Sequence, residues 1–374
     1  MKIFFKKVGK VVLYFLGVII LFIAGILLII RINSNERPEP VTDRVGNSLP
    51  NSVAIIKDTI INGAMQRLTI RGHDKSNPVL LRVHGGPGQP HAPQVFRYMG
   101  VDLEDLFTVC YWDQRGAGPA DFKEKTPDHL ITKEAIVKDG LLISEFLRKH
   151  FNEDKIYVEG ASWGTAISAL MVKEKPQYFS AYIGQGQVGN NPQSEVLSYQ
   201  FAMDQSINRN DTIAIKELQR IGAPPYKTIE QGNEAVQVQR RIVSRYMPNN
   251  TDYKMRDILK LIFLYDGWSF NYKFNYFQSG GYGPAAPLLW PQAVKINLQN
   301  EVPEIKIPVF IIQGDSDHFT ETSIAKEYFD SLKAPYKKMK IFENTGHVVF
   351  FERQEGYRKF YKSEVLKMSY TAHH

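Results

Sequence analysis

The sequence predicts an α/β protein in which helices cover both faces of a mostly parallel sheet. Three observations support this prediction. Short runs of β-branched and aromatic residues alternate with longer segments of helical periodicity, which is typical of parallel strands joined by crossover helices. The alternation stops between residues 188 and 302, and a continuous apolar run precedes the whole pattern. We therefore expect one N-terminal apolar helix, an α/β core and a mainly helical insertion within that core.

The apolar run extends from Val11 to Ile30 and contains twenty uncharged residues, a length that spans the hydrocarbon core of a bilayer as a helix. Four lysines precede it, so the positive-inside rule places the N-terminus in the cytoplasm and everything after Arg31 on the far side. An uncleaved anchor is favoured over a cleaved signal peptide, because a signal peptide has an apolar core of about 7–15 residues that ends in small residues. A buried core helix is disfavoured because the run has no polar face. Residues 1–31 are thus predicted to be a cytoplasmic basic segment and transmembrane anchor, with the catalytic domain outside the cytoplasm.

The charge pattern separates this terminus from the rest of the chain. The 374 residues carry a net charge of +7, of which residues 1–31 supply +5. The remaining 41 basic and 39 acidic residues give a net charge of only +2, so the body offers no basic surface that argues for a nucleic-acid partner. Residues 32–52 are polar and rich in proline, which is typical of a spacer. The single cysteine, Cys110, excludes intrachain disulfides and multi-cysteine metal clusters.

The core is expected to comprise residues 53–187 and 303–374, and the insertion, residues 188–302, is expected to form a lid. The Asn62-Gly63 pair predicts a hairpin between the first two strands. Helices are expected at Thr132–His150 and Trp163–Lys173. The predicted strands are Val53–Ile61, Met65–Arg71, Val79–Val83, Phe107–Trp112, Ile156–Glu159, Tyr182–Gly184, Val309–Gln313 and Lys338–Phe342.

A candidate nucleophile follows the fifth of these strands. The pentapeptide Gly160-Ala-Ser-Trp-Gly164 lies between a predicted strand and a predicted helix. A serine on such a sharp turn needs small residues two positions away on either side, because strand and helix approach closely there. An ordinary helix start with Ser162 near the N-cap is the alternative interpretation. The strand and helix that flank the motif favour Ser162 as a nucleophile.

A serine nucleophile needs a histidine base and an acid that holds the histidine in the correct tautomer. Asp317 follows the strand that ends near Gln313, and we prefer it to Asp315 because the Gly-x-x-Asp spacing lets the loop turn before the carboxylate. His347 follows the last predicted strand, and the order nucleophile, acid, histidine matches that of strand-to-helix serine turns. The alternatives His84, His91 and His318 are disfavoured by their positions along the chain.

A third motif, His84-Gly-Gly-Pro-Gly88, follows the third predicted strand. Glycines free the backbone to turn N–H groups toward a substrate oxygen, and a developing oxyanion needs two preorganised donors. We expect the backbone N–H groups of Gly86 and Trp163 to form this oxyanion hole. No metal site and no cofactor are predicted.

Together, His84-Gly-Gly-Pro-Gly88, Trp112-Asp-Gln-Arg-Gly-Ala-Gly118 and Gly160-Ala-Ser-Trp-Gly164 resemble the proline iminopeptidases of the α/β-hydrolase superfamily. The resemblance covers roughly residues 50–185 and 300–365. It implies the α/β-hydrolase fold and a serine peptidase that releases the N-terminal residue of peptides, with Ser162, Asp317 and His347 as its triad. It also implies that the Asp-Gln-Arg-Gly segment lies beside the floor of the active site, where Asp113 and Arg115 either form a local ion pair or touch the substrate.

The sequence departs from this family in three respects. The lid has neither of the Trp-Glu and Glu-Asn-His-Tyr strings whose glutamates hold the substrate amine, and Pro119-Ala120 replaces the usual Arg-Ser. The N-terminal anchor is also uncommon for such peptidases. Five acidic residues are possible substitutes in the lid, although each is expected to be a solvated helix charge: Glu195, Glu217, Glu230, Glu234 and Asp266.

Two other functional classes remain open. A carboxylesterase or lipase-like enzyme uses the same triad on esters, and a non-catalytic binding protein shares the fold but has a broken triad. Epoxide hydrolases and dehalogenases are disfavoured, because their nucleophile is a carboxylate. Gly184-x-Gly-x-x-Gly189 follows a strand, but Asn190-Asn-Pro192 comes next and the motif lacks the helix and acid that a dinucleotide needs. The aromatic segment 263–282 is expected to pack within the lid, line an apolar pocket or rest against the bilayer.

Overall fold

The computed structural model describes residues 2–43, 45–226, 228–251 and 253–367. Within these ranges the strands form one eight-stranded sheet in the order β1-β2-β4-β3-β5-β6-β7-β8. The strands are β1 (Val53–Ile61), β2 (Ala64–Gly72), β3 (Val79–Val83), β4 (Thr108–Asp113), β5 (Ile156–Ala161), β6 (Phe179–Gln185), β7 (Val309–Gly314) and β8 (Lys337–Phe342). All eight correspond to predicted strands, and the predicted α/β fold is confirmed.

The sheet is parallel from β4 to β8, whereas β1 pairs antiparallel with β2 and β2 pairs antiparallel with β4. The β1–β2 hairpin turns at Asn62 and Gly63, which have φ angles of 48° and 79°. The carboxyl ends of parallel strands meet at one edge of a sheet. The loops that follow β3, β4, β5, β7 and β8 therefore lie near one another.

Helices precede, cover and interrupt the sheet. The helix of residues 163–174 begins at the residue that follows Ser162, and Thr132 caps the helix of residues 133–151 by accepting a hydrogen bond from Ala135 N–H. The described helices are α1 (Lys2–Ile32), α2 (Pro93–Tyr98), α3 (Gly118–Lys123), α4 (Lys133–Phe151), α5 (Trp163–Glu174), α6 (Asn191–Asn208), α7 (Thr212–Ile221), α8 (Ile229–Tyr246), α9 (Met255–Leu264), α10 (Phe270–Gln278), α11 (Ala286–Ala293), α12 (Leu298–Glu301), α13 (Thr322–Ser331), α14 (Val349–Glu352) and α15 (Gln354–Phe360). Short 3-10 turns lie at Asp128–Leu130 and Pro176–Tyr178, and a π-helical turn lies at Tyr361–Val365.

Two apolar layers cover the faces of the sheet. On one face, Ile136 of α4 and Ala166 of α5 are completely buried, together with Trp112 of β4. On the other face, Phe107 and Tyr357 belong to a second cluster that also contains residues of α2 and α9. Because both faces are covered, the central strands are buried and their sequences are nearly continuous apolar runs.

The insertion lies between β6 and β7 and contains helices α6 to α12. It has a small apolar core of its own, in which Ala202, Leu218 and Ile242 are completely buried. Helices α6, α7 and α8 pack against one another, and α8 also contacts α11. The stretch of sequence in which no strand was predicted thus forms a group of helices that follows the carboxyl end of β6.

Helix α1 is apolar and long enough to cross a membrane, and its side chains are exposed almost throughout the described part. By length and composition it is either a membrane span or a signal sequence. Ile30, near the end of the helix, is its one buried side chain among those described. The segment that follows α1 was expected to be a spacer, and it packs against the body of the protein through hydrogen bonds to Asp266 and Lys273.

Candidate active site

Ser162 occupies the sharp turn between β5 and α5. Its φ angle is 53° and its ψ angle is −121°, a backbone conformation that residues other than glycine rarely adopt. A Cβ on Gly160 would lie 2.3 Å from the carbonyl oxygen of Gly164, and a Cβ on Gly164 would lie 2.1 Å from the carbonyl oxygen of Val83. The two glycines are therefore required by the close approach of strand and helix, as the sequence pattern predicts. The backbone N–H of Ser162 donates to the carbonyl oxygen of Gln185 on the neighbouring strand (2.8 Å).

Asp317 is held by five hydrogen bonds in the loop after β7. Its Oδ1 accepts from the backbone N–H groups of Phe319 (2.9 Å) and Thr320 (3.1 Å). Its Oδ2 accepts from Nε2 of Gln313 (2.9 Å), from Oγ1 of Thr320 (2.9 Å) and from the ring of His347. Burial by itself would raise the pKa of this carboxyl, but His347 and the hydrogen bonds outweigh burial, so the pKa is lowered. Asp317 is therefore a buried carboxylate in its charged form.

His347 follows β8 and faces Asp317. Its Nδ1 lies 2.8 Å from Oδ2 of Asp317, and its side chain is 14% exposed. Its carbonyl oxygen accepts from Nε2 of Gln185, the residue whose own carbonyl holds the turn at Ser162. In the tautomer in which Nδ1 donates to this carboxylate, Nε2 carries the lone pair that can accept a proton.

Ser162 and His347 both line one cavity of about 610 Å³. Among the described residues, no hydrogen bond shorter than 3.5 Å joins the hydroxyl of Ser162 to the ring of His347. Such bonds are often long before the substrate binds and tighten in the complex. The structure thus places Ser162 and His347 in the wall of one cavity, with His347 already paired to the buried Asp317.

The rival acid and histidines have other partners. Asp315 accepts from the backbone N–H groups of Asn344 (2.9 Å) and Thr345 (3.1 Å), which fixes the loop after β8. His318 lies 3.0 Å from Oε1 of Glu321 and stacks on Phe201. Asp315 thus bonds to the loop that carries His347 without contacting its ring.

Gly186 explains the glycine-rich string that follows β6. Its φ angle is 60°, and a Cβ there would lie 2.8 Å from Cε1 of His347. A Cβ on Gly189 would lie 2.7 Å from the carbonyl oxygen of Ile324. These glycines let the loop pass beside the histidine and against α13, which is a role that the spacing alone did not reveal.

The two predicted oxyanion donors lie on either side of the turn. Gly86 and Trp163 both line the cavity, and neither backbone N–H donates a hydrogen bond to another atom in the described part of the chain. Gly86 has a φ angle of 111°, which the absence of a side chain allows. A Cβ on Gly85 would lie 3.2 Å from Cβ of Ser162, so the loop after β3 needs glycine to pass this close to the serine.

His84 and Gln114 fasten the loop after β3 to the turn. The backbone N–H of Gln114 donates to Nε2 of His84 (3.1 Å), and its side-chain amide donates to the carbonyl oxygen of His84 (2.9 Å). The indole N–H of Trp163 donates to Oε1 of the same glutamine (3.1 Å). Burial lowers the pKa of His84 to about 4, so its ring is neutral and accepts at Nε2. Sequence reasoning did not single out Gln114, which joins both sides of the candidate oxyanion hole.

Asp113 and Arg115 do not pair with each other. Arg115 forms a buried ion pair with Asp139 of α4 (2.6 Å), which fixes the Asp-Gln-Arg-Gly segment to the helix layer. Asp113 accepts the backbone N–H of His91 (3.1 Å), and burial raises its pKa to about 7. Of the two alternatives for these residues, the ion pair between Asp113 and Arg115 is not formed. Arg115 braces the segment through a residue that is distant in the sequence.

The insertion supplies another part of the cavity wall. Its aromatic contribution includes Tyr276, Tyr282 and Trp290, so part of the expectation for segment 263–282 is met. The polar part of the wall includes Glu195 of α6 and Arg240 of α8, whose side chains form an ion pair. Oε2 of Glu195 also accepts from Nε2 of Gln239 (3.0 Å). Burial raises the pKa of Glu195, although Arg240 favours its charged form.

The other acidic residues considered for the lid do not line this cavity. Glu217 pairs with Arg241 (2.7 Å) and Glu234 pairs with Arg220 (2.5 Å) at the surface. Asp266 accepts from Asn35 of the N-terminal segment (2.8 Å). Glu230 lies exposed in the first turn of α8. Two of the five therefore depart from the expectation of solvated helix charges: Glu195 is buried in the cavity wall, and Asp266 lies in a partly buried turn between two helices.

The sequence model of the α/β hydrolase fold family matches residues 78–354 of this chain. The chain belongs to the α/β hydrolase fold family. The match begins at the residue before β3 and ends in α15, so it includes every residue of the candidate site.

Its curated relatives include peptidases of this family. The probable aminopeptidase YbaC of Bacillus subtilis (strain 168) is 31% identical over 306 residues, which are 80% of this chain and 93% of the relative. The proline iminopeptidase of Lactobacillus helveticus is 24% identical over 297 residues, covering 77% of this chain and 90% of the relative. The resemblance to proline iminopeptidases is therefore confirmed.

Solved structures show the same fold. The proline iminopeptidase of Mycobacterium smegmatis superimposes with a TM-score of 0.58 at 15% identity, covering 85% of this chain and 100% of the other. A proline iminopeptidase-related protein of Thermus thermophilus superimposes with a TM-score of 0.57 at 19% identity, covering 83% of this chain and 96% of the other.

Proposed function

We propose that this α/β hydrolase is a membrane-anchored serine aminopeptidase that resembles the proline iminopeptidases. One observation carries the proposal: His347, whose ring is paired with the buried Asp317, lines the same cavity as Ser162 on its strained turn. A structural histidine has no need of a buried carboxylate on one nitrogen and an open cavity on the other side. A base that is oriented for proton transfer needs both.

The proposed reaction has two steps. The Oγ of Ser162 attacks the carbonyl carbon of the scissile bond while its proton passes to Nε2 of His347. The tetrahedral intermediate collapses, the leaving amine takes that proton, and an acyl ester remains on the serine. Water then attacks the ester through the same base, which releases the acid and restores the serine hydroxyl. Asp317 stays ionised and stabilises the imidazolium in both steps.

The backbone N–H groups of Gly86 and Trp163 are proposed to hold the oxyanion of each intermediate. Both groups lack partners among the described residues, and the side chain of Gln114 bonds both to the loop that carries Gly86 and to the indole of Trp163 at the start of α5. Donors fixed before the reaction lower its barrier because they need no reorganisation. Loss of one such donor typically costs about 10²–10³ in rate.

Glu195 is proposed to bind the free α-amine of the substrate. It is buried in the cavity wall, and the relatives are named as an aminopeptidase and a proline iminopeptidase. An ammonium group placed beside Glu195 would favour its ionised form over the neutral form that burial favours. The insertion of residues 188–302 is proposed to act as a lid, because it contributes Glu195 and aromatic side chains to the wall of the cavity that Ser162 also lines.

Helix α1 is proposed to remain in the membrane as an uncleaved anchor with its N-terminus in the cytoplasm. The four lysines before its apolar run and the large residues at its end support this topology. The catalytic domain would then act outside the cytoplasm.

A carboxylesterase is the second candidate, and the ion pair of Glu195 with Arg240 favours it. A carboxylate that already has a cationic partner gains less from a substrate amine than a free one. The aromatic part of the cavity wall also suits an apolar acyl group.

Labelling with a fluorophosphonate probe tests the serine mechanism. The wild-type chain is expected to be labelled at Ser162, and Ser162→Ala is expected to abolish labelling. His347→Ala is expected to lose labelling and turnover while it keeps the fold by circular dichroism. A folded wild-type chain that resists the probe would instead favour a non-catalytic binding protein.

A comparison of proline arylamide with short acyl esters separates peptidase from esterase. The proposal predicts cleavage of the arylamide and loss of that cleavage when the substrate amine is acetylated. Glu195→Gln is expected to raise KM for the free amine about 10- to 100-fold, the effect of one hydrogen bond to a charged group. Glu234→Gln is the matched control, since that residue pairs with Arg220 at the surface and neither of the two lines the cavity. Ester cleavage without arylamide cleavage would remove the aminopeptidase proposal and leave the serine mechanism intact.

A further inference from the structure

The chain that leaves helix α1 is fastened to the insertion. The backbone N–H and the side-chain amide of Asn35 both donate to Oδ1 of Asp266, each at 2.8 Å. The backbone N–H of Arg37 donates to the carbonyl oxygen of the same aspartate (3.3 Å). Asp266 lies in the short connection between α9 and α10, so these bonds tie the end of α1 to that helix pair.

Lys273 makes a second and more deeply buried fastening. This lysine of α10 is completely buried, and its Nζ donates to Oγ of Ser34 (2.9 Å), to the carbonyl oxygen of Phe263 (2.9 Å) and to that of Asn33. Burial lowers its pKa to about 8, and the three acceptors stabilise its N–H groups. One side chain thus joins the end of α1 to both α9 and α10.

A third contact fixes the same segment to the sheet. Glu36 pairs with Arg67 of β2 (2.9 Å) and with Lys123 of α3 (2.7 Å). The segment is therefore held at three successive places and does not act as a free tether. The orientation of α1 relative to α9 and α10 follows from these contacts.

The hydrogen bonds of Lys273 to the end of α1 and to α9 limit how far α9 can lie from the bilayer. Ser34 is two residues beyond the end of α1, and two extended residues span at most about 7 Å. The headgroup layer on each side of a bilayer is about 5–8 Å thick, judged from its total and hydrocarbon thicknesses. If α1 crosses the membrane, the end of α9 near Phe263 consequently lies at headgroup level, because Lys273 joins it to Ser34.

Helix α9 has two different faces. Ile258 and Ile262 line the candidate active-site cavity. On the opposite face, Arg256, Lys260 and Leu264 recur every four residues and are exposed. Arg256 contacts Asp257 at 3.6 Å and forms no other ion pair with the part of the chain that the structure describes. Cations beside an apolar residue on one exposed helix face are typical of helices that lie in a membrane interface.

We propose that the exposed face of α9, formed by Arg256, Lys260 and Leu264, binds the phospholipid headgroups of the bilayer that α1 enters. This inference rests on the proposed membrane anchor. Phosphate groups complement the two cations, and Leu264 reaches the boundary of the acyl chains. The lipid surface then supports the outer side of a helix whose inner side forms the cavity wall.

Quenching by nitroxide-labelled lipid tests this inference on the full-length chain. Leu264→Cys is labelled with an environment-sensitive fluorophore and reconstituted in vesicles of phosphatidylcholine and phosphatidylglycerol that carry nitroxide at the headgroup. The matched control is Leu142→Cys on α4, which is 41% exposed against 36% for Leu264 and belongs to the opposite face of the sheet. The unsubstituted chain measures the background from Cys110, which is buried. The expected result is loss of most emission at position 264 and little loss at position 142.

Two further measurements distinguish a failure of the membrane anchor from a failure of the inference about α9. Flotation with the vesicles is measured on the same samples, and a chain that does not float would refute the anchor and this inference together. A chain that floats with equal, weak quenching at both positions would refute the inference alone. Replacement of both cations, Arg256→Glu with Lys260→Glu, is expected to reduce quenching at position 264. Emission that is shielded at position 264 without nitroxide quenching would assign this face to a protein contact, such as a second copy, and would also overturn the inference.

Discussion

Replacing Asp317 by asparagine is the sharpest test of the proposed triad. The substitution keeps the size of the side chain and keeps an oxygen for the two backbone N–H groups that bond to Oδ1. At the Oδ2 position, however, it places an NH₂ group opposite Nδ1 of His347 and Nε2 of Gln313, which both donate to the wild-type carboxylate. The imidazole must then accept at Nδ1 and carry its proton on Nε2.

In that tautomer the histidine has no lone pair for the proton of Ser162. Loss of the correct tautomer costs about 10⁴ in kcat in serine hydrolases of this type, which corresponds to about 5 kcal/mol of activation free energy. The donor of Gln313 that is left unsatisfied adds a stability loss of about 1–3 kcal/mol. We therefore expect Asp317→Asn to lose about four orders of magnitude in kcat and to unfold at lower urea concentration.

The assay is kcat and KM on whichever of the arylamide and ester substrates the wild-type chain cleaves. Asp315→Asn is the control, because Asp315 bonds to the backbone of the loop that carries His347 but not to its ring. It is expected to retain kcat within about tenfold, because the NH₂ group that replaces one oxygen removes a backbone hydrogen bond of this loop but leaves the carboxylate of Asp317 on the ring of His347. A folded Asp317→Asn protein with nearly wild-type kcat would refute the assignment of the acid, and a larger loss in the control would transfer that role to Asp315.

Three further predictions concern stability. Gly164→Ala is expected to prevent stable folding, because its Cβ would lie 2.1 Å from a backbone oxygen of β3. Gly232→Ala in α8, where a Cβ would lie in ordinary contact 3.7 Å from Cβ of Tyr226, is expected instead to raise the free energy of unfolding by up to about 1 kcal/mol, measured by urea denaturation. Arg115→Met is expected to lower the free energy of unfolding by about 3–5 kcal/mol, because it leaves the buried carboxylate of Asp139 without its cation. Lys149→Met breaks an exposed ion pair and is expected to lower the free energy of unfolding by at most about 1 kcal/mol. Burial raises the pKa of Asp113 to about 7, so the folded protein binds a proton at this carboxyl more tightly than the unfolded chain does. The contribution of Asp113 to the free energy of unfolding therefore falls as the pH rises from about 4 to about 7. Asp113→Asn is expected to remove that decline when wild type and variant are compared by urea denaturation across this range, and parallel pH profiles would contradict it.

The sequence by itself determined the features that depend on neighbouring residues. Strand positions follow from short β-branched and aromatic runs, and the turn at Ser162 follows from two glycines whose spacing is set by local backbone geometry. The edge at which the candidate residues meet was also predictable, because the ends of parallel strands must lie together. The place of the insertion was also predictable, because the alternation of strands and helices stops between residues 188 and 302.

The tertiary structure decided which side chains meet across long sequence separations. Arg115 pairs with Asp139 rather than with Asp113, Gly186 makes room for the ring of His347, and Glu195 is buried beside Arg240 although its helix reads as polar. No periodicity records such partners, because burial and pairing depend on how separate elements pack. The connecting segment after α1 shows this most clearly: its polar composition predicted a spacer, but buried Lys273, some 240 residues away, binds it to the cavity wall.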